Sequence, residues 1–239
     1  MAFAHRVLLL DQHAVLAAEE KVPSSDRSRE AVARVSPRLR PLLENRGLRL
    51  GSPIFMRIFK QEKVLELWIR GRDGRFVLFF SYPVCYFSGN LGPKLKVGDR
   101  QSPEGFYTVP ASALNPYSSY HLSFNLGYPN AFDRSHGRTG SALMVHGDCV
   151  SIGCYAMTDP LIEEIYTLAD AALRNGQPAF QVHVFPFRMT AETLARQRRS
   201  SWYSFWENLK QGYDLFERDR VPPAVSVRDQ RYRFESRLP

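Results

Sequence analysis

Three segments rich in β-branched and aromatic residues, Ile54 to Phe59, Val64 to Ile69 and Phe76 to Tyr82, follow one another with gaps of only four and six residues. Parallel strands need a crossover of roughly a dozen residues, so such gaps leave room only for turns. The three segments therefore read as an antiparallel meander, and Gly71-Arg72-Asp73-Gly74 supplies turn chemistry for the second gap. A chain built on this element is β-rich at its centre.

The pattern on either side is helical or irregular. Upstream, Val32, Val35, Leu39, Leu42 and Leu43 recur at helical spacing between Ser24 and Asn45, with Pro37 and Pro41 expected to break the run. Downstream, Gly89, Gly92, Pro93, Gly98, Pro103 and Gly105 are too dense for regular structure and predict a shaped loop before a strand at Gly105 to Val109. Tyr117 to Thr139 mixes aromatic and polar groups, among them Asn125, Tyr128, Arg134 and Arg138, which suits a pocket wall or a plain surface loop. Ala142 to Val145 predicts a buried strand that delivers His146. Thr158-Asp159-Pro160 opens a helix with Ile162, Ile165, Leu168, Ala169 and Leu173 on its apolar face, and Asn175-Gly176 closes it. Phe180 to Pro186 alternates as a strand, and Thr190 to Phe216 reads as helical with Trp202, Phe205, Trp206 and Leu209 on one side.

With 44% hydrophobic and 13% aromatic residues, the chain can bury a full core. Its formal net charge of +8 attracts anions. The basic blocks Arg27 to Arg49, Arg196 to Arg199 and Arg228 to Arg237 read as solvated helix faces and a frayed tail, or as a footing on an anionic polymer; none carries a nucleic-acid-reading motif. No apolar run is long enough to span a bilayer. Val7 to Leu10 is a short apolar core cut by Asp11, Gln12 and His13, a poor secretory signal.

The densest chemistry lies in His146-Gly147-Asp148-Cys149-Val150-Ser151-Ile152-Gly153-Cys154. A thiol attacks carbonyl carbon as thiolate, and an imidazole is the usual acceptor of its proton. Cys154 is the candidate nucleophile and His146 its base, against the alternative of a structural cysteine beside an incidental histidine. An alkylation profile shifted below a free thiol's value of about 8.5 is the expectation. Gly153 and Cys154 offer backbone N–H donors for an oxyanion, Ser151 orients the turn or the substrate, and Gly147 lets the backbone turn beside His146. Of the three cysteines, Cys85 and Cys149 either pair with each other, leaving Cys154 free, or stay reduced and buried. Cys149 and Cys154 lack a second ligand pair, so neither a metal nor an organic cofactor is expected.

The ordered motifs Gly92-Pro93, Gly98-Asp99-Arg100-Gln101-Ser102-Pro103-Glu104-Gly105-Phe106-Tyr107, Met144-Val145-His146-Gly147 and Ser151-Ile152-Gly153-Cys154 resemble the L,D-transpeptidase catalytic domain, or YkuD-type, family. The run Cys154 to Asp159 is similar to its YafK branch. The resemblance implies a mainly β fold with helical additions (α+β), a β-sandwich-like catalytic domain over 53–187 between an N-terminal helical preface (1–52) and a C-terminal helical extension with a basic tail (188–239). It implies thioester chemistry by Cys154 on the L-centre carbonyl of diaminopimelate in peptidoglycan stem peptides, ending in crosslinking or in hydrolysis. Peptidoglycan-lipoprotein links are the alternative substrate, and the implied compartment is the periplasm. Ile152 stands where many members carry histidine and Ala156 where they carry arginine, so substrate carboxylate binding is expected to fall to Arg138 or Arg134, with Tyr128 and Asn125 on the pocket wall. A peptidoglycan-binding module without turnover is the alternative of another class.

Overall fold

The computed structural model describes residues 22–238. The apolar stretch Val7 to Leu10, His5, His13 and the first part of the helical preface lie outside them. Helix α1 (Asp26–Glu44) is followed by strands β1 (Ile54–Phe59), β2 (Val64–Arg70), β3 (Phe76–Pro83), β4 (Tyr86–Phe87) and β5 (Gly105–Pro110), then β6 (Leu114–Asn115), β7 (Ser123–Asn125), α2 (Ala131–Ser135), β8 (Met144–His146) and β9 (Tyr155–Ala156). Helix α3 (Asp159–Arg174), β10 (Ala179–Phe185), α4 (Ala191–Arg196), α5 (Tyr203–Asp219) and the strands β11 (Ala224–Arg228) and β12 (Arg231–Glu235) complete the chain. It is a mixed α+β fold.

The meander forms as its short gaps require: β3, β2 and β1 pair antiparallel, and the sheet continues through β10 and β5. β10 runs parallel to β1, its crossover supplied by everything between them. A second five-stranded sheet has the order β4-β9-β8-β7-β6. Inner residues of the first sheet (Met56, Ile58, Leu65, Leu67, Val182, Val184) share one core with Phe124, Val145 and Tyr155 of the second and with α1 and α3. β1 is buried along its whole length because its other face, Phe55, Arg57 and Phe59, is covered as well. Phe216 of α5 lies 4.7 Å from Phe55, and Arg57 pairs with Glu66 at 2.7 Å and with Glu217 of α5 at 2.6 Å.

Three expectations change. Helix α1 runs unbroken through Pro37 and Pro41. Each proline frees the carbonyl four residues earlier, and Ala33, Pro37 and Pro41 all lie on the solvent side, where water can satisfy those carbonyls. The buried stripe is Ala31, Val35, Leu39 and Leu43; Leu42 is exposed. The run from Thr190 to Phe216 is two helices, parted where the Ser200 hydroxyl accepts the Trp202 N–H at 3.2 Å. The basic tail is a β-hairpin, turned at Asp229 and Gln230 with φ of 52° and 56°, and Tyr232 seats it in the core. No helix among the described residues is long and apolar enough to cross a membrane.

Candidate active site

The second sheet carries the site. β8 and β9 run parallel with Val145 opposite Tyr155 and His146 opposite Ala156. Val145 and Tyr155 point into the core, so alternation places His146 and Ala156 on the other face, and Cys154 directly precedes β9. Sequence motifs ten and eight residues apart thus meet on neighbouring strands. Cys85 and Cys149 form a disulfide with a Cα–Cα distance of 5.4 Å, and Cys154 is the free cysteine. The bond ties the loop after His146 to the start of β4, beside the Cys149 N–H to Met157 carbonyl bond at 3.1 Å and the Cys85 N–H to Ala156 carbonyl bond at 2.9 Å.

The Cys154 sulfur accepts the Met144 N–H at 3.4 Å and lies 3.6 Å from the Ala142 carbonyl oxygen. Among the described residues no hydrogen bond joins it to the imidazole. Burial pushes the Cys154 thiol above its ordinary value, against the opposing pull of the Met144 amide and of the Lys94 charge. Burial likewise lowers the basicity of His146, against the Gly147 carbonyl and Asp148. Both shifts run toward the neutral forms, opposite to the thiolate expected from the residue types alone. His146 Nδ1 lies 2.6 Å from the Gly147 carbonyl oxygen, which fixes Nδ1 as the donor and leaves Nε2 as the basic nitrogen. The Tyr120 ring, 4.7 Å from the imidazole, holds its plane.

The turn before the sulfur is locked by side chains. Ser151 Oγ accepts the Gly153 N–H at 3.0 Å and donates to the Cys154 carbonyl at 2.8 Å. Ser151 is thus occupied in the turn, and the Gly153 amide is engaged by it. Ser102 donates to the same carbonyl at 3.1 Å, and the Tyr155 hydroxyl donates to Pro103 at 2.7 Å, so the Gly- and Pro-rich loop buttresses the Cys154 backbone. That loop is itself fixed by a fully buried pair: Lys60 donates to Glu104 at 3.1 Å and to the carbonyls of Gly92 and Ser102, while Glu104 accepts from Gly92 and from Trp206 of α5. The C-terminal helices therefore brace the loop from behind.

Gly147 is needed for space: a Cβ there would stand 2.5 Å from Asp159 Oδ1 and 3.0 Å from the His121 Cβ. Arg138 is buried, donates to the buried Asp133 at 2.7 Å and lies over Phe132 and Phe205. Arg134 is exposed and donates to the Pro129 carbonyl. Tyr128 is buried, its hydroxyl on the Lys94 carbonyl at 3.2 Å, and burial raises its pKa. Asn125 lines a cleft of about 850 Å³ with Thr108, Leu114, Tyr117 and Met144; neither Cys154 nor His146 lines it, and it meets the site through Met144. The residue missed by sequence reasoning is Lys94, a buried lysine paired with Asp99 at 2.5 Å whose charge reaches the sulfur. Its only signal was its place directly after Gly92-Pro93.

With this geometry in view, similarity to known proteins identifies the lineage. The family model for YkuD, described as the L,D-transpeptidase catalytic domain, matches residues 56–184. A protein of Escherichia coli strain K12 named "Putative L,D-transpeptidase YafK" is 50% identical over 183 residues, 77% of this chain and 74% of that protein, and its counterpart in Escherichia coli O157:H7 matches equally. Among solved structures, the helical cell shape determining protein Pgp2 of Campylobacter jejuni aligns at a TM-score of 0.45 with 18% identity over 79% of each chain. Bd1075 of Bdellovibrio bacteriovorus aligns at 0.41 with 17% identity, over 77% of this chain and 83% of its own. The chain belongs to the YkuD family of L,D-transpeptidase catalytic domains.

Proposed function

We propose that the protein is a cysteine-dependent acyl-transfer enzyme of the bacterial cell wall, acting on the L-centre carbonyl of diaminopimelate in peptidoglycan stem peptides. The observation that carries this reading is one free thiol, Cys154, directly before a strand that pairs with the one ending in His146, while the other two cysteines are bonded to each other. In the first half-reaction the Cys154 proton passes to His146 Nε2 and the sulfur attacks the carbonyl carbon. Negative charge collects on the carbonyl oxygen, and the Cys154 N–H is the nearest amide donor by chain position. The C–N bond breaks, the leaving amine takes the proton from His146, and a thioester remains. An amine acceptor then forms a crosslink, or water releases the acyl group; the first half is common to both.

Shifts toward the neutral forms suit this order of events, since the thiol is spared from reaction until a substrate displaces water around it. Family membership supports peptidoglycan as the substrate class, and a disulfide is suited to an oxidising compartment, which for such a substrate is the periplasm. Incubation with disaccharide tetrapeptide should add the acyl mass to the protein and not to Cys154→Ala. The same assay with a peptidoglycan-linked lipoprotein tests that link as a second substrate, and the released products separate transfer from hydrolysis. Binding to sacculi with no adduct from either substrate would leave a non-catalytic binding module instead.

A further inference from the structure

Arg134 and Arg138 are engaged by the Pro129 carbonyl and by Asp133, and the cation whose charge opposes the effect of burial on the Cys154 thiol is Lys94. Its side chain is 6% exposed. The ammonium donates to Asp99 Oδ1 at 2.5 Å and to the Lys96 carbonyl at 2.9 Å, which leaves one of its three donors beyond those bonds. Asp99 is anchored independently, accepting the amides of Leu95, Lys96 and Gln101 at 2.8, 3.0 and 3.1 Å. Although burial opposes its ionisation, the lysine and these amides hold the carboxyl below its usual value.

One segment connects this pair to the nucleophile. The Thr139 N–H donates to the Leu95 carbonyl at 3.0 Å, a Cβ on Gly140 would stand 2.9 Å from Lys94 Cε, and the Ala142 carbonyl lies 3.6 Å from the sulfur. The charge acting on Cys154 is that of Lys94, itself paired with Asp99, while Asp148 in the turn after β8 acts on His146. Two buried lysines, Lys60 and Lys94, pack in this loop region, and their partners differ. Lys60 is sealed by Glu104 and two carbonyls, whereas Lys94 is held by Asp99 and the Lys96 carbonyl with its Cε against Gly140, two residues before Ala142.

We propose that the Lys94–Asp99 pair sets the electrostatic field at the Cys154 sulfur: Lys94 is a positioning residue whose positive charge stabilises the thiolate, and Asp99 both holds that charge in place and attenuates it. The inference rests on the reading of Cys154 as nucleophile. It gives the two members of one ion pair opposite effects on the thiol, which a purely structural pair would not show.

The test is the pH dependence of Cys154 alkylation by iodoacetamide, an uncharged probe, in the full chain. Lys94→Met should raise the apparent thiol pKa by about one unit. At neutral pH labelling should slow by roughly three- to fivefold, less than the tenfold fall in thiolate because a more basic thiolate is the better nucleophile. Lys94→Arg should restore most of the rate, and Asp99→Asn should shift the pKa downward and speed labelling. Shifts of the same sign in Lys94→Met and Asp99→Asn, or no shift in either, would overturn the proposal. If Lys94→Met fails to fold, the sign of Asp99→Asn decides, an upward shift overturning it. Adduct formation with disaccharide tetrapeptide is scored separately: an unchanged alkylation profile with an intact adduct sinks this inference alone, and opposed shifts without any adduct sink only the acyl-transfer reading.

Discussion

The two sheets are of equal strand number and unequal build. Strands of the first run six to eight residues and are held by their own ladders, whereas those of the second run two or three. So few ladder bonds are a weak hold on register. The second sheet is secured by other means: a disulfide, a serine-locked turn, and a buried lysine–carboxylate pair under the supporting loop. The lesson is a division of labour, in which the periodic sheet supplies the platform and the non-periodic one is assembled side chain by side chain around the chemistry.

The sharpest way to break that division is at the sulfur itself. Cys154→Ala should abolish the acyl adduct and lower turnover of stem peptides by at least about 10³-fold, with denaturant stability unchanged within roughly 0.5 kcal/mol; mass spectrometry and urea unfolding read the two. Lys60→Met removes one partner of a fully buried pair and should destabilise by about 3–5 kcal/mol. Lys60→Met combined with Glu104→Gln should recover part of the loss, which equilibrium unfolding would show. Replacing Cys85 and Cys149 by alanine should cost about 2–4 kcal/mol and should slow acylation, because the loop beside His146 is freed at the same time.

Each sheet also buries one histidine, and pH sharpens the contrast. His183 of the first sheet is packed against Phe55 and Phe106, and burial, with Arg57 and Arg237, drives its pKa well down; His146 is lowered mainly by burial. A depressed histidine leaves stability intact above its unfolded value of about 6.5 and withdraws it as pH falls toward the folded value, since the unfolded chain takes up protons that the folded one refuses. Urea stability should therefore decline below about pH 6.5, with a slope approaching 2.7 kcal/mol per pH unit for two protons. His146→Gln should halve that slope; an unaltered slope would show that His146 does not contribute. The smallest effect belongs to Ser151→Ala, about 1 kcal/mol of stability together with a severalfold fall in adduct formation rate.

Legibility in the sequence follows the same division. The meander, α3 and β10 could be read because their apolar periods extend over a full element. Strands as short as Met144–His146 carry no period, so the second sheet could be found only through the motif it presents. Cys154 and His146 were visible as chemistry. Gly147 was visible as a glycine, while its reason, the Asp159 carboxylate occupying the place of a Cβ, depends on a helix that begins twelve residues later. Arg138 was legible as a cation and not as a paired one, because its partner Asp133 is brought against it only by the fold, as Asp99 is against Lys94. The tail's alternation of Val225, Val227, Tyr232 and Phe234 was present in the sequence and obscured by its charges.

The bond between Cys85 and Cys149 also bears on which cysteine stays free. Three cysteines permit three single pairings, and two of them consume the sulfur of Cys154. Cys149 has that wrong partner five positions away along the chain and its right one 64 away, so oxidation ahead of folding favours a dead isomer. Docking of Cys85 through its amide onto the Ala156 carbonyl brings the distant partner alongside Cys149. The pairing of β4 with β9 thus holds the native partner at hand and leaves the Cys154 sulfur free.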